Sequence, residues 1–229
     1  MRRTIGLALL LVALTSPLIG QRIAGRRSGL REVRNDGSVG LTFVVAQPLG
    51  EFRRNGDVAA GLTGFAVVGL DRRASVGLRI DGAYMVYDAA YFGYGVSSTS
   101  SIGTLALGPQ VTLGQGPLRL YGFGTVGGSL FWTSASYSGS CGCYDPDVFF
   151  LDGHFTTTTQ LGGGMLITIS QRRSPVAIDL GVRDVRHDRV TYVPANGMTD
   201  NGDGTFTARR VTTPVELRVF QIGVSIGLR

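Results

Sequence analysis

The chain has 229 residues, of which 35 are glycine, 43% are hydrophobic and only 17% are charged. That balance excludes a disordered chain, which would be poorer in apolar residues, and a compact helical protein, which would hold far less glycine. The formal charge is +6 and every basic residue is Arg, a usage that a GC-rich genome explains as well as selection for bidentate anion binding does.

The N-terminus reads as an export signal. Arg2 and Arg3 precede an apolar run from Ile5 to Leu14, and Thr15, Ser16, Pro17 and Gly20 follow, the order of a secretory signal peptide cleaved near Gly20. The run is about ten residues, short of the roughly 20 that a membrane-spanning helix needs. Residues 1–20 are therefore assigned to the signal, 21–37 to an Arg-rich leader and 38–229 to one folded domain. Losing Arg2 and Arg3 takes the charge from +6 to +4, and nucleic acid is a poor partner for an exported protein in any case. Arg22, Arg26, Arg27, Arg31 and Arg34 predict a solvated leader, with contact to anionic lipid headgroups as the alternative. No later stretch is apolar enough for a spanning helix, so a membrane-resident form must be a closed barrel, which satisfies every backbone hydrogen bond in lipid.

Period-two alternation then recurs along the chain. The first strand sets Val39, Leu41, Phe43 and Val45 against Gly40, Thr42 and Ala46. The next, over 58–70, is apolar on both faces in places. From Ser75 to Tyr87, Val76, Leu78, Ile80, Tyr84 and Val86 oppose Ser75, Gly77, Arg79, Asp81 and Ala83. Leu105, Leu107, Val111 and Leu113 oppose Thr104, Ala106, Gly108, Gln110 and Thr112, and a fifth strand over 118–132 is again ambiguous in its faces. From Phe155 to Ser170, Leu161, Met165, Ile167 and Ile169 oppose Thr156, Thr158, Gln160, Gly162, Gly164 and Thr168. Val176, Ile178, Leu180 and Val182 oppose Ala177, Asp179, Gly181 and Arg183, and the final strand sets Phe220, Ile222, Val224, Ile226 and Leu228 against Gln221, Gly223, Ser225 and Gly227.

The links alternate in length. Those at 71–74, 114–116 and 171–174 are tight, and those at 47–57, 88–100, 133–154 and 187–210 are long. Strict alternation predicts an all-β, eight-stranded, antiparallel up-and-down transmembrane barrel with short periplasmic turns, long external links and both termini periplasmic. A soluble barrel would need a charged exterior, yet the polar face here is mostly Gly, Ser, Thr and Ala. Small residues suit the narrow lumen of eight strands, so the bulky face is expected to meet lipid. Tyr84, Tyr87, Tyr91, Phe92, Trp132 and Phe155 near the outer strand ends, and Tyr121 near the other, match interfacial girdles.

With these residues the chain resembles the small eight-stranded outer-membrane barrels of the OmpA/OmpX type over its whole mature length. The local pieces are a first strand ending Gln47-Pro48-Leu49-Gly50-Glu51-Phe52, the strand with Gly162-Gly163-Gly164, the late Gly181-Val182-Arg183 and the amphipathic last strand. The resemblance implies contact with outer-membrane lipid and with an assembly machinery. Members usually end in an aromatic residue that this machinery reads, whereas here the last residues are Leu228 and Arg229. The family spans adhesins, surface-protection proteins, envelope tethers and a few lipid-modifying enzymes, so it does not choose a function, and a porin-like role is one expectation among these.

Candidate chemistry is sparse. Arg79, Asp81, Asp179 and Arg183 on the lumenal face are expected to pair, filling the interior, since an isolated buried charge is strongly unfavourable. A narrow solute pore is the alternative use of the same residues. Cys141 and Cys143 allow a local loop disulfide, which export favours; free or intermolecularly paired thiols are open too. A metal site with Asp145, Asp147 or His154 lacks a four-ligand spacing. Asp200-Asn201-Gly202-Asp203-Gly204 lacks the alternate acids and closing Glu of a calcium loop and reads as a hairpin turn, with Val190, Tyr192, Phe206 and Thr207 on its arms. His154 and His187 are expected at the loop rim, with no Ser/His/acid pattern, so no catalysis, cofactor or metal is expected. Tyr91, Tyr94, Tyr144, Tyr192 and Phe206 are the expected loop contacts for an extracellular or envelope partner. The competing reading is an exported soluble, lipocalin-like binding barrel.

Overall fold

The computed structural model describes residues 37–71, 75–92, 96–114, 116–137, 147–171, 174–194, 197–201 and 206–228. Cys141, Cys143, Tyr94, Tyr144 and Asp145 fall outside them, as do residues 1–36 with the expected signal and leader. Among the described residues ten strands form: β1 (Gly37–Leu49), β2 (Ala59–Gly69), β3 (Val76–Phe92), β4 (Val96–Leu113), β5 (Leu118–Tyr137), β6 (Asp147–Ser170), β7 (Val176–Tyr192), β8 (Met198–Asp200), β9 (Phe206–Ala208) and β10 (Val211–Leu228). Eight of them close an antiparallel barrel in the order β1-β2-β3-β4-β5-β6-β7-β10, with β10 pairing back onto β1. Closure leaves no unpaired edge in the wall. The short β8 and β9 make a separate two-stranded ribbon in the last long link.

The strand register fixes the barrel's pitch. From Leu41, paired residues lead one way through Gly64, Gly82, Leu105 and Gly128 to Thr157 on β6. The other way leads through Val224 and Ile178 to Ile167, also on β6. The two arrivals lie ten residues apart, which is the shear, and such a stagger on eight strands goes with a strand tilt of roughly 35–45°.

Side chains are distributed inside-out. Leu41, Phe43, Leu78, Ile80, Leu105, Leu161, Ile222 and Val224 all face outward and are exposed, while Thr42, Arg79, Asp81, Gln160, Asp179 and Gln221 are buried. The soluble, lipocalin-like arrangement requires the reverse, with apolar side chains lining a cavity and charge outside. It does not fit this chain.

Three sequence expectations need correction. Strands run further than the apolar alternation does: β3 and β4 continue to Phe92 and from Val96, so the link expected over 88–100 shrinks to 93–95. Likewise β5 and β6 pair as far as Tyr137 and Asp147. Ser97–Ser101 and Ser134–Ser136 carry no bulky face, so hydrophobic periodicity misses them although their backbone ladder is complete. Tyr87 and Tyr121 are not girdle residues; both are buried inside. Val190 and Tyr192 belong to β7 rather than to the arms of a projecting hairpin, and both are buried.

Candidate functional site

Two layers fill the barrel. The layer nearer the tight turns is polar. Arg79 and Asp81, two residues apart on β3, point to the same side of the sheet, as alternate positions must. Arg79 Nε donates to Asp81 Oδ2 at 2.8 Å and Nη2 to Oδ1 at 2.8 Å, while Nη1 donates to Gln110 Oε1 at 2.9 Å. The same carboxylate has Arg183 Nη1 3.5 Å from Oδ1. Arg183 also donates to Gln160 Oε1 at 3.2 Å and to Thr63 Oγ1 at 2.6 Å. Asp179 is held differently: Tyr121 Oη donates to it at 2.6 Å and in turn accepts from Gln221 Nε2 at 2.8 Å. The four charges sum to zero, and bidentate, charge-assisted contacts are the strong kind.

Aromatic rings complete this layer. The Arg79 guanidinium lies between Phe65 and Phe123, 4.2 Å from each ring centroid, within cation–π range. Room for such bulk comes from glycine on facing strands. A Cβ at Gly164 or Gly181 would meet Tyr121 Oη at 2.7 Å, and one at Gly162 would meet the Phe123 ring at 2.8 Å.

The layer toward the long links is apolar. Val44, Met85, Ile102, Val185, Leu217 and Val219 pack with Tyr87, Phe131 and Tyr192. Into them drops Phe52, from a single 3₁₀ turn (Phe52–Arg54) in the β1–β2 link. It is fully buried, with ring centroids 5.2 Å from Tyr192 and 5.8 Å from Tyr87. Gly50, with φ +57, turns the chain back over the barrel mouth, a conformation only glycine adopts readily. A void beside Tyr87, Phe131 and Tyr192 measures about 10 Å³, room for about one water.

His187 corrects another expectation. It continues the inward series of Asp179, Arg183 and Val185 on β7 and is buried, not at a rim. Its Nδ1 lies 3.2 Å from the Val215 carbonyl and its Nε2 3.1 Å from Ser129 Oγ, which is 2.8 Å from Thr104 Oγ1. A carbonyl can only accept, so Nδ1 carries a proton, and in the neutral ring Nε2 then accepts from Ser129. Serine and histidine in that contact can form a nucleophile pair, but here Phe131 packs edge-on to the imidazole at 5.1 Å and the surroundings are filled. The pair fits a satisfied core histidine. His154 sits half-buried on β6.

Among the expected loop contacts, Tyr192 is corrected outright: it lies in the apolar layer, 2% exposed. Tyr91 lies on β3 and Phe206 on β9, but their side chains are outside the described residues. The sequence gives no interior role to Phe52 and points Tyr121 to a girdle, yet these two side chains finish the two layers. A Phe between the short Gln47–Glu51 segment and an Arg pair was the available signal for an anchored link. On the outer surface, Gly64, Gly82, Gly103 and Gly128 floor a shallow groove of about 660 Å³ below Tyr84, Trp132 and Phe155.

No family model matches the chain, and no curated protein matches it in sequence. Among solved structures it is similar to Neisserial surface protein A, with a TM-score of 0.48 at 12% identity over 84% of this chain and 97% of that one. It is also similar to Ail, the attachment invasion locus protein of Yersinia pestis, with a TM-score of 0.43 at 11% identity over 84% and 96%. OprG from Pseudomonas aeruginosa gives a TM-score of 0.41 at 13% identity over 86% and 99%. The closed eight-stranded antiparallel barrel implied by the OmpA/OmpX-type resemblance is the architecture that this chain adopts.

Proposed function

We propose that the protein is a non-enzymatic outer-membrane barrel. It spans the bilayer with its eight long strands and holds its long links outside the cell for contact with an envelope component or a foreign surface. One observation carries the proposal: a continuous outward belt of Leu, Ile, Val and Phe, 37–73% exposed, far beyond the few hundred Å² of apolar patch that a soluble monomer leaves in water. The filled lumen supports a role without solute passage. Links on a rigid scaffold are where binding concentrates.

Limited proteolysis of intact cells tests the address and the orientation together. Cleavage is expected within 138–146 and 202–205, with the barrel strands protected. Resistance of the chain until the cells are lysed would contradict external placement of these links.

A further inference from the structure

The apolar belt is not equally tall all round. Distributing the ten-residue shear evenly over eight strands places Leu113, Leu118, Val176 and Leu228 within about one residue of a common level at the tight-turn end. Height can therefore be counted from that edge. On β7 the outward series Val176–Val182 gives way to Asp184 and Arg186, and on β10 the series from Leu228 to Phe220 gives way to Arg218 and Glu216. Next to β7, β6 is polar at Thr159 and Thr157 before the exposed Phe155 returns beside Trp132. Two strands from β7, outward positions on β5 stay free of charge from Leu118 through Val126 and Leu130 to Trp132. At an axial rise of about 2.5 Å per tilted residue, the apolar wall is about 15–20 Å tall on β7 and β10 and about 35 Å on β5, against the usual 25 Å or so.

A rigid tilt in a flat bilayer would displace both edges of the belt in the same sense. Here the tight-turn edge is level and only the far edge slopes, so the belt is a wedge. Its low side carries an ordered charge ladder. Arg218 donates to Asp184 at 2.8 Å and 3.3 Å, and Glu216 pairs in register with Arg186 one rung above. Thr157 donates to Asp188 beside them. Signs alternate along each strand and across the pair, so each neighbouring contact is attractive.

We propose that this wedge thins the outer leaflet over β7, β10 and the 157–159 stretch of β6, drawing polar headgroups and water down to Asp184 and Arg218, while acyl chains climb β4 and β5 to Trp132. Lipid headgroups with their water are the occupant of the charged wall. Their mixed charges complement an alternating ladder, whereas hydrocarbon would leave the guanidinium and carboxylate groups unsolvated. The inference rests on the membrane reading above.

Nitroxide accessibility tests it on the full mature chain with C141S and C143S, folded into phosphatidylcholine–phosphatidylglycerol vesicles. Single cysteines replace Arg186 or Thr159 on the low wall, Leu105 or Leu130 on the high wall, and Leu78 in mid-belt. T159C removes no charge and stands in if R186C fails to fold. A water-soluble nickel chelate is expected to outcompete oxygen several-fold at 186 and 159. Oxygen is expected to win several-fold at 105 and at 130, although 130 lies further from the tight-turn edge than 186. Equal ratios on the two walls would overturn the wedge. Protection of 186 and 159 from both reagents would mean that a protein chain covers this wall, and would overturn the lipid occupant. Loss of oxygen preference at 78 would instead defeat the membrane reading itself.

Discussion

Replacing Asp81 by Ala is expected to destabilise the folded barrel by about 3–5 kcal/mol, the cost of leaving a buried charge without its partner. Two guanidiniums depend on this one carboxylate: Arg79, through contacts at 2.8 Å and 3.0 Å, and Arg183 at 3.5 Å. Asp179, the other buried acid among the described residues, is engaged by Tyr121 and Gln221. Urea titration of the barrel in vesicles, followed by the fluorescence of the single tryptophan, Trp132, reads the loss. Removing both partners in an R79L/D81L double variant is expected to cost less than the sum of the single changes, because contacting residues couple. A shift of no more than about 0.5 kcal/mol for D81A would be the behaviour of a solvated surface pair and would contradict the filled lumen.

Phe52→Ala is expected to cost about 3–5 kcal/mol, the range for deleting a buried aromatic ring, although the residue lies in an interstrand link where substitutions are usually mild. The ring is what anchors the β1–β2 link among Tyr87 and Tyr192. R53A, on the same 3₁₀ turn but exposed, is expected to stay within about 0.5 kcal/mol. The same urea titration separates them. Planar-bilayer recording of F52A is expected to show no steady conductance, because the Arg79–Asp81–Arg183 layer still closes the lumen beneath the missing ring. Equal stabilities for F52A and R53A would show that Phe52 is not seated in the barrel mouth.

Alternation made most of the barrel legible in the sequence. Where one face is bulky and the other small, as in β3 and β10, the inward and outward sets follow from parity alone, and Arg79 and Asp179 were placed inside on that basis. The same parity puts Tyr87 with Arg79 and Asp81. For Tyr87 face outweighs nearness to a strand end, so it lies inside, while Tyr84 and Phe155 are exposed on the outer face. His187 follows in the same way from Asp179 and Arg183. Tyr121 and Phe123 were not legible, because β5 is apolar on both faces and its interior aromatics are tolerated only by Gly162, Gly164 and Gly181 on strands distant in sequence. Phe52 was not legible for a related reason: no periodicity marks a single ring that packs from outside the strands. Bulges at Val86/Asp88, Thr133/Ser134 and Pro214/Val215 shift the phase where the expected strands were cut short. The ladder beyond them is held by backbone pairing, which leaves no hydrophobic signature.

Tryptophan quenching by brominated phosphatidylcholine tests the inside-out arrangement most directly. In a W132F background, F43W places the indole on an outward mid-belt position and F123W places it on an inward one at a similar level; Phe43 is 50% exposed and Phe123 only 5%. Bromine on the acyl chains is predicted to quench the tryptophan at 43 strongly and to leave the one at 123 nearly untouched. Strong quenching at 123, or none at 43, would contradict a barrel whose hydrocarbon side chains face the bilayer around a closed polar interior.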